Sequence, residues 1–256
     1  GRARIAGPRF HVDRLGASSN MAGGVYSLID VETGRATLAG RPAPSAWDAA
    51  ELFGAASRGV GAVIARGLWS AHRRGVDRVA DGALHALGRR LLHERTFLSR
   101  VAQLDPPPAE RVRVEALHTE LARVRWDAVM ARFARDTLAR APSLSSCLHD
   151  GLTRAWGCAP PTAWAPHLAA SMLAAGGPWG GCWGVAAQGA RVELGLRESL
   201  RARFDEDWHR NPRAGEWLRV TLDALRATGV SAWLDEHPEF GKAIVAFPRV
   251  AGKLAW

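Results

Sequence analysis

The 256-residue chain is short of several things: it has three cysteines, one tyrosine and two lysines (Lys242 and Lys253). No apolar run approaches the ~18 to 20 residues that a membrane-spanning helix needs. Each scarcity excludes something. Three irregularly spaced thiols, Cys147, Cys158 and Cys182, rule out a disulfide framework and a cysteine-rich metal site. They read as free thiols in a reducing compartment. The segment Gly1-Arg2-Ala3-Arg4-Ile5-Ala6-Gly7-Pro8 has no apolar core of the kind a secretory leader carries, so a soluble, cytoplasmic protein without membrane partners is expected. Histidine pairs at metal-ligand spacing are also missing. His93-Glu94 opens an H-E-x-x-H pattern, but Phe97 stands where the second histidine belongs. His85 and His93 lie about 12 Å apart along one predicted helix, too far to share an ion. With His72, His118, His149 and His167 they read as structural histidines.

What is present is an ordinary globular composition, 47% apolar and 23% charged, in a chain long enough to bury a sizeable core. Lys and Arg number 34 against 25 Asp and Glu, a formal charge of +9. Such a balance can serve phosphate binding. The arginines, however, are interleaved with acids, as at Arg111, Arg113, Glu115, Glu120, Arg123 and Arg125. That pattern reads first as a solvated helix face. Zinc-finger and RNP-like patterns are absent, and nucleic acid is the disfavoured partner.

Taken in order, residues 1–45 form a loop and strand segment. Gly24 to Val31 is β-branched, Glu32-Thr33-Gly34 is a turn signal, and Ala36 to Ala39 follows, which predicts a β-hairpin. Residues 46–230 are helical. Trp47, Leu52, Phe53 and Val60 recur at helical spacing, and Gly59 and Gly61 imply fraying or unusually close packing. A second helix is predicted from Val76 to Leu104, halted by Asp105-Pro106-Pro107-Pro108. A third runs from Ala109 to Arg140 with Val114, Leu117, Leu121, Val124, Val129 and Phe133 inward. A short helix follows Ser143 and ends near Gly157. Two more occupy 187–228, with Pro212 in the first turn of the second and Gly229 at its end. Residues 231–256 form a C-terminal tail in which Ile244 to Phe247 reads as a strand or a docking segment.

Three stretches carry a family resemblance. Asp48-Ala49-Ala50-Glu51-Leu52-Phe53 resembles the lead into the zinc helix of the thimet oligopeptidase and oligoendopeptidase F family of metallopeptidases. Residues 78–88 look like that family's second ligand-bearing helix. Leu200 to Leu218, with Asp207-Trp208 followed by Arg210-Asn211-Pro212, resembles its C-terminal block and is the most specific of the three. The likeness spans roughly residues 45 to 228. It implies the catalytic half of such a protein, either a fragment or a truncated gene, with the helical N-terminal half absent.

The resemblance also implies that the zinc chemistry is gone. The two histidines and the glutamate of H-E-x-x-H fall at Gly54, Arg58 and Ala55, and the third ligand falls at Ala86. The tyrosine-rich oxyanion segment corresponds to Gly176 to Gly184, which has Trp179, Cys182 and Trp183 as candidate cleft-lining residues. The chain's one tyrosine is Tyr26. The glycines there lack a following Gly-Lys-Ser/Thr, so no P-loop is read. Without these groups there is no Lewis acid for water and no donor for an oxyanion. The expectation is a mainly α, multi-helix metallopeptidase-like half-domain with a small N-terminal β-hairpin. No catalytic residue, metal or cofactor is assigned. The expected function is a non-catalytic peptide-binding or protein-interaction domain. The alternatives are a basic protein binding nucleic acid or acidic partners, a hydrolase using unrecognised residues, and a decaying gene product.

Overall fold

A computed structural model of the chain describes residues 10–14, 25–30, 35–40, 45–64, 77–138, 143–161, 166, 182–238 and 240. Among these the protein is mainly helical, and no helix is long and apolar enough to cross a membrane. They belong to two compact units, one within residues 1–117 and 189–256, the other within 118–188.

The first unit opens with three short strands, β1 (Phe10–Arg14), β2 (Val25–Asp30) and β3 (Arg35–Gly40), in the order β1-β3-β2. β2 and β3 are antiparallel, with Val25 opposite Gly40 and Asp30 opposite Arg35. β1 lies parallel to β3 on its other side, a strand the hairpin reading does not contain. Helix α1 (Ala46–Ile64) packs on β2 and β3. Its start is capped by Ser45, whose Oγ accepts from the Asp48 N–H at 3.2 Å and donates to the Asp48 carboxylate. Asp48 also places negative charge against the positive end of the helix dipole.

Helix α2 (Asp77–Arg89) lies along α1. Gly88 meets Ser57 and the Phe53 carbonyl, and Gly61 meets Leu84, at positions where a methyl group has no room. Ala55, Ala80, Ala83 and Ala86 are buried in the same unit. Of the two outcomes expected, Gly61 shows close packing.

The predicted helix from Val76 to Leu104 is broken. After α2 come one 3-10 turn (Arg90–His93), an extended Glu94 (φ −89°, ψ 114°) and a short α3 (Arg95–Arg100). Nothing local demands the break, since Leu91 to Arg95 holds no glycine or proline. It turns the buried Glu94 toward arginines of a later helix. The three prolines expected to stop that helix instead begin α4 (Pro106–Leu138), where their missing N–H groups cost nothing. The first part of α4 buries Ala109 and Ala116, with Val112 packed alongside, and leaves Val114 exposed. The predicted inward stripe is therefore out of phase there. A core of Leu92, Phe97, Leu98, Ala109 and Ala116 forms against Ala50 and Phe53 of α1.

In the second unit, the rest of α4 packs Val129, Met130 and Phe133 on Leu148 and Leu152 of α5 (Leu144–Trp156). Ser143 caps α5 by accepting from the Ser146 N–H at 3.4 Å, and Gly157 ends it at φ 71°. Helix α6 (Cys182–Phe204) ends at Asp205 (φ 69°), a left-handed position that aspartate tolerates. A 3-10 turn (Trp208–Arg210) leads into α7 (Pro212–Thr228). Asn211 Oδ1 accepts from the Arg213 N–H at 3.0 Å, and Gly229 ends the helix at φ 82°. Leu87, Leu200, Trp208 and Ala214 form a second core of the first unit. Part of the expected tail is helical: α8 (Val230–Glu236) buries Trp233, and Phe240 seats its ring on Gly195 of α6. Ile244 to Phe247 lies outside the described residues.

The glycine contacts give a paired stability test. Gly88→Ala is expected to force α1 and α2 apart and cost about 1–3 kcal/mol by urea denaturation. Gly215→Ala, on an exposed turn of α7 where a Cβ meets nothing within 4 Å, is expected to stabilise. Its gain should be roughly 0.5–1 kcal/mol.

Candidate functional site

The positions that the family resemblance reads as a vacated zinc site fall on the α1–α2 crossing. At Gly54 an added Cβ would lie 2.8 Å from Arg89 Cγ and 2.8 Å from His85 Nε2. Arg58, one turn on, is close enough for its charge to disfavour protonation of His85. Gly54 and Arg58 thus come together at His85. Ala55 and Ala86 are both buried. The α2 side chains that meet Gly54 are His85 and Arg89, one turn apart, and Ala86 is not among its nearest contacts.

The polar content of this crossing is a carboxylate shared by an imidazole and a guanidinium. Glu51 Oε2 lies 3.3 Å from His85 Nε2, and Glu51 Oε1 lies 3.5 Å from Arg89 Nη1. Burial pushes the His85 pKa below its ordinary value, Glu51 opposes the shift, and Arg89 and Arg58 reinforce it. The neutral imidazole is favoured. Zinc does not fit the residues present: Gly54 and Ala55 offer no donor atoms, Arg58 is a cation, and the space at Gly54 is filled. Among the described residues no group of three or more His, Cys, Asp or Glu could hold a metal ion. Sequence reading missed the Glu51–His85 contact because no spacing rule links residues that far apart.

Of the proposed cleft-lining residues, Trp179 lies outside the described residues. Cys182 and Trp183 begin α6, so the loop expected through Gly184 is already helical at 182.

A larger polar array lies on α6. Glu193, Arg197 and Arg201 are spaced one turn apart on α6, and Arg90 and Glu94 stand at the two ends of the opposing 3-10 turn. The ion pairs alternate between the two: Arg90 with Glu193, Arg197 with Glu193 at 3.3 Å and with Glu94 at 3.8 Å, then Arg201 with Glu94. Both glutamate side chains are essentially inaccessible, 1% exposed for Glu94 and 0% for Glu193, while Arg201 reaches 38%. The ladder runs from the core to the surface. In so dry a setting each carboxylate needs its partners, because an unpaired buried charge costs far more than a pair returns. Leu194 separates Glu193 from Gly195 in a stretch that reads as an ordinary amphipathic helix, so sequence reading assigned the ladder no role.

The bend at Glu94 brings α3 to the Asp207-Trp208 segment. Thr96 Oγ1 donates to the Glu206 carbonyl at 2.9 Å, Arg100 pairs with Asp207, and Phe97 meets the His209 ring edge-on at 5.5 Å. A cavity of about 300 Å³ opens here, lined by Trp208, His209, Arg210, Pro212 and Leu218 among others. Burial lowers the His209 pKa; Glu94 opposes this, and Arg210 and Arg100 add to it.

The ladder predicts a non-additive response. Glu193→Leu should cost about 3–5 kcal/mol by removing the buried carboxylate that Arg90 and Arg197 share. Arg90→Leu combined with Glu193→Leu should recover a substantial part of that loss in a double-mutant cycle. The two histidines predict a pH response. Unfolded imidazoles titrate near about 6.5, and both folded values lie lower. Between those values the unfolded chain binds more protons. The stability from neutral His85 and His209 is therefore complete above about pH 6.5 and lost as pH falls through the folded values. Urea midpoints should drop between about pH 7.5 and 5, and His85→Gln with His209→Gln should flatten that drop.

Set against protein-family profiles, curated proteins and solved structures, the chain matches none of them.

Proposed function

We propose that the chain is a non-catalytic, metallopeptidase-like scaffold that binds peptide or a protein partner. The observation that carries this reading is Gly54. At the position read as the first zinc histidine, one added carbon would press on Arg89 and His85, so a side chain there would have to displace them. The place has been given over to helix packing and to the Glu51–His85–Arg89 cluster. That supports a retained fold with abandoned chemistry over a hydrolase awaiting its metal.

Arginine pairing supports a peptide or protein partner over nucleic acid. Arg219 pairs with Glu216 and Asp223, Arg113 with Glu110, Arg123 with Asp127, and Arg132 with Asp136. Charge committed to neighbouring carboxylates is not offered to phosphate.

Purified protein should contain no stoichiometric zinc by elemental analysis and show no chelator-sensitive cleavage of a fluorogenic peptide library. It should retain peptides from that library in high salt. Stoichiometric zinc with chelator-sensitive turnover would overturn the proposal. Duplex or single-stranded oligonucleotide binding that falls steeply with salt, without peptide retention, would replace it with the basic-partner reading.

A further inference from the structure

His209 stands in the seam between α3 and the Trp208–Arg210 turn, and its ring is held there by aromatic contact alone. The residue is partly exposed, yet both ring nitrogens are shielded from solvent and without hydrogen-bond partners. What the ring meets is Phe97 of α3, at 5.5 Å between centroids and 76° between planes, and Trp208, at 5.8 Å and 85°. Edge-to-face contacts of this kind suit a neutral ring. An imidazolium carries two N–H donors and a full charge, and each charged donor left unmet in a shielded place is costly.

The neighbouring charges give such a cation little help. The 90–94 segment brings Glu94, the one attraction, which already holds Arg201 of α6 and lies 3.8 Å from Arg197. Arg100 of α3 and Arg210 of the turn both oppose protonation. Asp207 gives one oxygen to those two arginines, and its other oxygen is shielded and bonded to nothing, His209 included. Asp205 and Glu206 beyond α6, and Arg213 of α7, are exposed residues.

The rest of the seam decides which part can move. Phe97 is fixed in the core with Leu92 and Leu98 and meets the Phe53 ring edge-on at 5.3 Å, and Trp208 is fixed with Leu87, Leu200 and Ala214. The polar ties across the seam, Thr96 to the Glu206 carbonyl and Arg100 to Asp207, are solvent-exposed and hold weakly. The His209 ring is the movable piece between two anchored ones.

We propose that His209 is a proton-operated latch on this seam: neutral, its ring closes the gap between Phe97 and Trp208, and once protonated it swings out to solvent and leaves both rings uncovered. The residue also lines the cavity of about 300 Å³, so its departure enlarges that space. A solvated imidazole takes its proton near about pH 6.5, and the closed ring takes it only lower. The closed form is therefore fully favoured above about pH 6.5, and each unit of pH below that favours the open form about tenfold until the closed-state value is reached. The latch is independent of the vacated peptidase positions.

The test is a pH titration of the ¹⁵N,¹³C-labelled full chain by NMR, with the His209 ring signals assigned through His209→Phe. The NOEs from the His209 ring to Phe97 and Trp208 should fade with the midpoint of the ring's own titration, below about pH 6.5, while the NOE between Phe53 and Phe97 stays. His209→Phe keeps an aromatic edge and takes no proton, so its contacts to Phe97 and Trp208 should persist throughout. Arg210→Gln removes a charge that opposes protonation and should raise the midpoint. The proposal is overturned by His209 NOEs that survive protonation of the ring, by a midpoint at or above about 6.5, or by simultaneous loss of the Phe53–Phe97 NOE, which marks unfolding instead of a swinging ring. These three readings use the unaltered protein, so the outcome does not depend on any variant folding.

Discussion

Glu193 sits at zero exposure between Arg90 and Arg197, and much of the first unit's geometry follows from keeping it neutralised. A carboxylate there without guanidinium partners would be several kcal/mol too costly for a domain of ordinary stability. Satisfying it fixes the register of α6 against the 90–94 segment. Glu94 must then leave the helix to reach Arg197 and Arg201, which is why the chain bends where no glycine or proline asks for it. The bend directs α3 onto the Asp207-Trp208 segment through Thr96, Phe97 and Arg100. A ladder of this kind contributes specificity of packing more than raw stability, since a register slip by one residue would leave buried charges unpaired.

The α1–α2 crossing meets its constraint by the opposite means. There Gly54 and Gly61 receive side chains of α2, Gly88 meets Ser57 and the Phe53 carbonyl, and dispersion in these close contacts takes the place of long-range charge pairing. The polar remainder, Glu51 with His85 and Arg89, is small enough to sit inside that contact. A side chain at position 54 would have to displace the His85 ring and the Arg89 stem.

Helix ends were the most legible part of the sequence, because capping is local. Ser143 and Gly157 bracket α5, and Asn211-Pro212 and Gly229 bracket α7, as their side-chain and backbone chemistry requires. The inward face of α4 was legible at Val129 and Phe133 and not at Val114. A 33-residue helix shared between two units buries one stripe in each, and a single periodic fit follows only one of them. The Glu94 break and the Glu51–His85 contact could not be read at all. Both depend on partners from distant parts of the chain. That Gly54 and Arg58 both face His85, and that Ala86 is not among the nearest contacts of Gly54, belongs to helix rotation, which sequence leaves free by a residue.

The same reasoning bears on the formal charge of +9. Lysine accounts for only two of the 34 basic residues, so arginine carries nearly all of it. Guanidinium is planar, weakly hydrated and able to hold two carboxylate oxygens at once, which suits it to buried pairing where an ammonium would not serve. Arg90 at 1% exposure shows how far this chain uses that capacity, and Arg197 bridges two carboxylates on different segments. On α7 the Arg219 pairs are exposed and screened, set between Glu216 and Asp223. Pairing leaves the net +9 as it is, since the 25 acids are already subtracted, but it commits much of the basic count to internal structure or local neutralisation. A count of basic residues overstates the field that any partner of this protein would meet.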